Sequence, residues 1–215
     1  MDLAALEEEA RSLLPGPTYD YLAGGAGDEL SLRDAVAAWD RIRLRPRVLR
    51  DVGTVDTTTT VMGTRVSSPV LVAPTAFHKL SHPEGEVATA QGAAAAGALM
   101  TAATRATTPL EDIAAAGGSD AARWFQVYVL RQRDHTARLV ERAAAAGYTA
   151  LVLTGDTPML GLRLRDVRNA FELPTNIGEA ALGAGAGVGN LVEQDPTITF
   201  EQIGWLRELS GLPVL

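Results

Sequence analysis

Residues 124–154 read WFQVYVLRQRDHTARLVERAAAAGYTALVLT and carry one complete strand–helix–strand unit. Trp124 to Val129 is a short apolar and aromatic run of the kind strands favour. Asp134 to Ala146 reads as a helix, and Gly147 follows where a left-handed cap is useful. Ala150 to Thr154 is a second apolar run. Two strands joined through a helix by short loops form a βαβ unit, the connection that parallel pairing requires.

The same rhythm extends in both directions. Val70 to Pro74 is an apolar strand, followed by a helix from Pro83 to Gly97. Ala98 to Ala102 is the next strand, and Pro109 to Ala116 a short helix. Strands starting at 70, 98, 124 and 150 are about 28, 26 and 26 residues apart, the period of a βα unit. Downstream, Thr199 to Leu209 is helical and Leu212 to Leu215 begins a fifth strand. Apolar strands without strong alternation belong to a sheet covered on both faces. Two α/β architectures satisfy this pattern: an open doubly wound sheet and a (β/α)8 TIM barrel. Neither G-x-G-x-x-G after a strand nor G-x-x-x-x-G-K-[ST] occurs, so no phosphate fingerprint favours the open sheet.

Ahead of the repeat, residues 2–14 place Leu3, Leu6, Ala10, Leu13 and Leu14 at helical spacing, and Pro15-Gly16-Pro17 ends that helix. A short helix over Thr18 to Leu22 stops at Gly24-Gly25-Ala26-Gly27, and Asp28 or Ser31 can cap the next one, to about Trp39. Arg41 to Arg50 alternates basic and apolar residues and reads as an extended, solvated or subunit-facing strand. Thr57 to Met62, a turn at Gly63-Thr64 and Arg65-Val66 suggest a β-hairpin. The expected organisation is therefore four segments. Residues 1–68 are N-terminal helices and a hairpin, 69–170 four βα units, 171–198 a Gly/Ala-rich lid loop including Gly183 to Gly189, and 199–215 a helix and fifth strand.

Composition narrows the function. Of 215 residues, 47% are hydrophobic and 21% charged, too apolar for a disordered chain. A net charge of −7 without basic runs argues against nucleic-acid binding. No apolar stretch reaches the roughly 18 residues of a membrane span, and the acidic start resembles no secretory or transit segment, so a cytoplasmic location is expected. The absence of cysteine excludes disulfides, thiol nucleophiles and zinc–thiolate sites.

Parallel α/β folds collect functional groups at the C-terminal ends of their strands. Those ends are Ala73-Pro74-Thr75-Ala76, Thr101-Ala102-Ala103-Thr104-Arg105, Gln126 with Tyr128, and Thr154-Gly155-Asp156-Thr157-Pro158, with Arg163 beyond. Gln126 and Tyr128, two apart, point to one side of a strand. Hydroxyls, an amide, a carboxylate and a guanidinium converge there as a candidate small-molecule site. His78 and His82 lie near Glu84 and Glu86, but Pro83 interrupts a continuous helix and no third ligand is placed, so a metal site is not expected. His135 begins a helix and makes a poor general base.

These residues are similar to those of the FMN-dependent 2-hydroxy acid oxidases and dehydrogenases. The resemblance rests on Tyr19-Asp20-Tyr21 with Gly24 to Glu29, Arg45-Pro46-Arg47-Val48-Leu49, Ala73-Pro74-Thr75-Ala76, His82-Pro83-Glu84-Gly85-Glu86, Trp124 to Tyr128, and Asp156-Thr157-Pro158 with Gly161 and Arg163. It implies a (β/α)8 barrel with FMN at the C-terminal face. Pro74, Thr75 and Ala76 would then lie against the flavin ring, with Gln126 and Thr154 hydrogen-bonding it. Ala103, often serine in the family, would contribute only backbone. Tyr21, Tyr128 and Arg163 match substrate-contacting residues, suited to a carboxylate. Asp156 matches the carboxylate that orients the catalytic histidine, which makes Tyr128 and Asp156 the catalytic candidates. Arg105 replaces a bulky aromatic, which suggests a mandelate-like 2-hydroxy acid as substrate.

The resemblance also implies what is not in these 215 residues. The family's base histidine, a flavin-contacting lysine, a second substrate arginine and the phosphate-binding segments all come later in the chain. Four βα units and the start of a fifth strand make about half a barrel. The expectation is the first half of an oxidase that requires a C-terminal half as partner and forms a homo-oligomer when complete. A non-catalytic truncated module and an unrelated open-sheet nucleotide binder are the alternative readings.

Overall fold

A computed structural model describes residues 2–156, 159–175, 177–178, 180 and 193–215. The Gly183 to Gly189 run of the expected lid, and Thr157 and Pro158, lie outside these residues. The chain divides into two compact units, Met1–Asp56 with Leu160–Glu172, and Thr57–Met159 with Leu173–Leu215.

The first unit is helical. It contains α1 (Leu3–Leu13), α2 (Gly16–Ala23), α3 (Leu30–Arg41) and, from its second segment, α7 (Leu164–Asn169). Asp2 caps α1 by accepting the Ala4 N–H, and Pro17 sits in the first turn of α2, where a missing N–H costs nothing. The cap of α3 is Glu29 at φ 58°, whose side chain makes no capping bond to the helix, rather than Asp28 or Ser31. Arg165 holds the unit together, reaching Asp20 at 3.2 Å and Glu29 at 2.7 Å. The strand expected at 41–50 does not form: past α3 the backbone is irregular, with Leu44 and Leu49 fully in solvent. Pro46 removes a donor, and a lone alternating segment gains no ladder bonds.

The second unit carries the repeat. Its elements are a hairpin of β1 (Thr59–Val61) and β2 (Thr64–Val66), then α4 (Glu86–Ala95), β3 (Met100–Ala102), α5 (Leu110–Gly117), β4 (Arg123–Val127), α6 (Arg133–Ala145), β5 (Leu151–Leu153) and α8 (Glu201–Ser210). β3, β4 and β5 are parallel neighbours, with Thr101 beside Trp124 and Gln126 beside Val152. Val72 adds a parallel bridge to Met100 on one flank, and Val214 a parallel bridge to Leu151 on the other. Five segments therefore lie side by side in chain order. A doubly wound sheet reverses its strand order at a switch point, whereas a barrel advances without reversal. The order seen here is the barrel's.

The expected strand at 70–74 is reduced to that single bridge. Pro69 and Pro74 have no N–H to give, and Val70 is exposed, so nothing extends the ladder. Residues 212–215 make three backbone bonds to β5 but likewise only one bridge. One sheet face packs Met100, Phe125, Val127 and Leu151 against Leu110, Ile113, Leu139, Val140, Ala143 and Leu206 of the helices. Trp124 and Val152, on the opposite face, pack with Leu99, Ala150 and hairpin residues Val61 and Val66. Burial of both faces explains why the strands carry no alternation. Gly97 and Gly147 close α4 and α6 with φ of 62° and 80°, the left-handed caps their positions suggested.

Candidate functional site

The strand ends of the second unit are tied together by a small hydrogen-bond network. Gln126 is the last inward residue of β4 and is fully buried. Its Oε1 accepts the Thr104 N–H at 3.1 Å. The Thr104 hydroxyl donates to the Gln126 carbonyl at 2.8 Å and accepts the Tyr128 N–H at 3.0 Å. Thr154 donates its N–H to the Val127 carbonyl at 3.1 Å, so the end of β5 is fixed to the same strand. Gln126 Nε2 is buried and has no hydrogen-bond partner. An unpaired buried donor costs about 1–3 kcal/mol, which marks this amide, with the likewise unpartnered Trp124 Nε1 on the same strand, as a group that a further partner would satisfy.

The loop after Val72 is pinned from below. Phe77 is buried at φ 56°, a left-handed conformation that is costly away from glycine, and donates its N–H to the Arg105 carbonyl at 3.1 Å. His78 N–H reaches Glu86 Oε1 at 3.3 Å. Pro74 and Thr75 stay exposed and Ala76 half-buried just before this anchor. Ala103 is buried beside Thr104. Tyr128 is half-buried, and the Arg105 guanidinium lies over its ring, 5.7 Å from the centroid. Asp156 is exposed past the end of β5.

Glu86 is the keystone of the loop layer, and no functional role was legible for it in the sequence. It is 1% exposed, with Thr107 N–H, Thr107 O–H and Thr108 O–H at 2.8, 2.6 and 2.8 Å. Burial pushes its carboxyl up, but the hydrogen bonds from Thr107, its own N–H and Thr108 outweigh that and hold it below the usual carboxylate range. Thr104 was likewise quoted in the strand-end motif without a role. The usable signal was a small hydroxyl placed immediately after a buried strand, where ladder bonds run out.

In the first unit, Tyr21 and Arg163 lie together. The Arg163 guanidinium carbon is 4.9 Å from the Tyr21 ring centroid, and its Nη2 donates to the Tyr21 carbonyl and, at 3.0 Å, to that of Gly24. Phe171 stacks on the same Tyr21 ring, with centroids 4.6 Å apart and planes at 18°. Arg163 Nε is 3.2 Å from Asp166 Oδ2.

Among the described residues no three His, Cys, Asp or Glu side chains gather as metal ligands. His78 Nδ1 is 3.0 Å from Thr89 Oγ1, and His82 Nδ1 accepts the Glu84 N–H at 3.3 Å. The strand-end set suits a planar, acceptor-edged ring instead. It offers an accessible loop at Pro74 and Thr75 with Ala76 half-buried behind it, a small residue at 103 and a buried amide donor in want of an acceptor. The donor set therefore fits an isoalloxazine.

The in-order parallel arc is that of a barrel rather than a doubly wound sheet, and the chain belongs to the FMN-dependent dehydrogenase family, whose sequence model matches residues 10–215. It is 42% identical over 218 residues to glycolate oxidase 1 of Zea mays, covering 96% of this chain and 58% of that protein. It is 41% identical over 230 residues to an L-lactate oxidase of Nostoc sp., covering 100% and 63%. The fold matches a crystal structure of mandelate oxidase with (S)-4-hydroxymandelic acid at a TM-score of 0.89 and 41% identity, over 99% of this chain and 62% of that one. The chain thus spans about three-fifths of the length of these relatives. Among the described residues no helix is long and apolar enough to cross a membrane.

Proposed function

We propose that these residues form the flavin-ring side and part of the substrate pocket of an enzyme that oxidises a 2-hydroxy acid to a 2-oxo acid. The observation that carries the reading is the buried, partnerless Gln126 Nε2 in a chain of an FMN-dependent family. Bound FMN would supply the two-electron acceptor. Gln126 would donate to the ring's acceptor edge, Thr154 would hydrogen-bond it from the next strand, and the backbone of Pro74, Thr75 and Ala76 with Ala103 would lie against its face. Tyr128 would donate its phenol O–H to the substrate, while Tyr21 and Arg163 would hold the substrate carboxylate. Asp156 would orient and charge a histidine supplied by residues beyond these 215, accepting an N–H from the ring. That histidine would take the proton released from the substrate.

A mandelate-like side chain is part of the same proposal, supported by Arg105 in place of a bulky aromatic and by the similarity to mandelate oxidase. So are assembly into a homo-oligomer and a cytoplasmic location; one rice relative is a peroxisomal (S)-2-hydroxy-acid oxidase. Light scattering and cell fractionation test these two. For the activity, residues 1–215 are mixed anaerobically with FMN and a panel of mandelate, lactate and glycolate, with and without the complementary C-terminal segment of a relative. Flavin bleaching by mandelate only when both segments are present is the expected result. Bleaching by 1–215 alone would refute the need for further residues, and no bleaching by any hydroxy acid would refute the function.

A further inference from the structure

We infer that Thr104 is a positioning residue for both the flavin-facing amide and the substrate-facing phenol. The inference rests on the flavin reading of Gln126. The regular pairing of β3 with β4 ends at Ala102 beside Phe125. Beyond it, the Thr104 hydroxyl replaces a backbone partner, donating to the Gln126 carbonyl and accepting the Tyr128 N–H. One side chain thereby continues the ladder across the residue that separates the two functional side chains.

The Thr104 backbone adds orientation. A glutamine amide can be turned end for end, and a free one presents either a donor or an acceptor. The Thr104 N–H bonds Gln126 Oε1, which settles the choice: the carbonyl end is occupied and the NH2 end is left open. Thr104 is 1% exposed, so no water stands in for its hydroxyl. Removing that hydroxyl leaves a carbonyl and an N–H unpaired at the very backbone from which Gln126 and Tyr128 project. Valine keeps the shape and deletes the two bonds; serine keeps the bonds and deletes a methyl.

A second buried threonine supplies the control. Thr136 is fully buried, and its hydroxyl accepts the Leu130 N–H at 2.9 Å, past the same strand but away from Gln126. The test compares the unsubstituted chain with Thr104→Val, Thr104→Ser and Thr136→Val, each confirmed folded by circular dichroism and each assembled with the complementary C-terminal segment of a relative. Two readouts are used: protection of the Tyr128 amide by hydrogen-exchange NMR, and FMN binding by fluorescence quenching with the absorption maximum of the bound flavin. Thr104→Val is expected to lose Tyr128 protection, weaken FMN by roughly 5- to 100-fold as one buried pairing is lost, and move the flavin absorption maximum. Thr104→Ser is expected to restore both, and Thr136→Val to lower the melting temperature with flavin binding unchanged. If Thr136→Val alters flavin binding as much as Thr104→Val, or Thr104→Val leaves it unchanged, the positioning role is overturned and the flavin site stands. If the unsubstituted chain quenches no FMN even with the complementary segment present, the flavin reading itself falls and takes this inference with it.

Discussion

Glu86→Ala should be the most damaging single truncation in the loop layer. The carboxylate receives three bonds of 2.6–2.8 Å from Thr107 and Thr108 and a longer one from the His78 N–H. It joins the start of α4 to two loops, one carrying Pro74 to Ala76 and the other Ala103 to Arg105. Alanine leaves those donors facing a cavity. At about 1 kcal/mol for each of the three short bonds, the loss is on the order of 3 kcal/mol, a large share of the roughly 5–15 kcal/mol typical of a folded domain. Glu86→Gln keeps an oxygen for the Thr107 and His78 N–H groups and turns its NH2 toward hydroxyls that can accept, so it should cost only about 1 kcal/mol. The pH dependence has a definite sign. The folded carboxyl titrates below its ordinary value, so its contribution is complete above the usual glutamate range and is lost as pH falls through the lower folded value. Glu86→Gln should therefore flatten the acid limb of stability. Urea unfolding followed by circular dichroism, at pH 7 and in steps down to pH 3, measures both effects. The reasoning is refuted if Glu86→Ala lies within about 1 kcal/mol of the unsubstituted chain, or if the glutamine and alanine variants are equally unstable.

Two further outcomes follow from local geometry. A Cβ at Gly97 would sit 2.0 Å from Ser67 Oγ and 3.1 Å from Ser67 Cβ, whereas one at Gly147 meets nothing within 4 Å, although both have positive φ. Gly147→Ala should cost about 1–2 kcal/mol from backbone strain alone, and Gly97→Ala measurably more; equal costs by urea unfolding would show that Ser67 moves freely. Asp195 accepts from the Thr197 side chain and N–H and pairs with Arg133 at 2.6 Å, which lowers its carboxyl to about 2. Its contribution is present above the usual aspartate range and fades as pH drops from about 4 toward 2, so Asp195→Asn should remove that part of the acid sensitivity and leave the neutral range above it less stable.

Much of the fold was legible because its signals are local. The apolar runs at 98–102, 124–129 and 150–154, the helices between them and the glycines after two of those helices depend only on neighbouring residues. Other readings failed where a local pattern needed a distant partner. Arg41 to Arg50 alternates like a strand and has no strand beside it. Val70 to Pro74 is apolar like a strand, yet prolines at 69 and 74 leave one bridge. The short α7, the His78–Leu80 turn and the Leu130–Gln194 bridge carried no periodic signal long enough to read. For the site, the polar residues at the strand ends were visible as a group, but Glu86 and Thr104 were not. Their importance lies in what they bond to, 21 to 24 residues away along the chain.

The sequence by itself determined a repeating βα pattern, its helix caps and the residue types available at the strand ends. Periodicity alone left the open sheet and the barrel both standing, because spacing along a chain says nothing about which strand edges meet, and within the sequence only the family resemblance implied the barrel. Tertiary structure decided that question by placing Val72, β3, β4, β5 and Val214 side by side in chain order. It also decided which end of Gln126 is open. Amide orientation follows from a hydrogen bond across two strand ends, and that bond exists only once the sheet has formed.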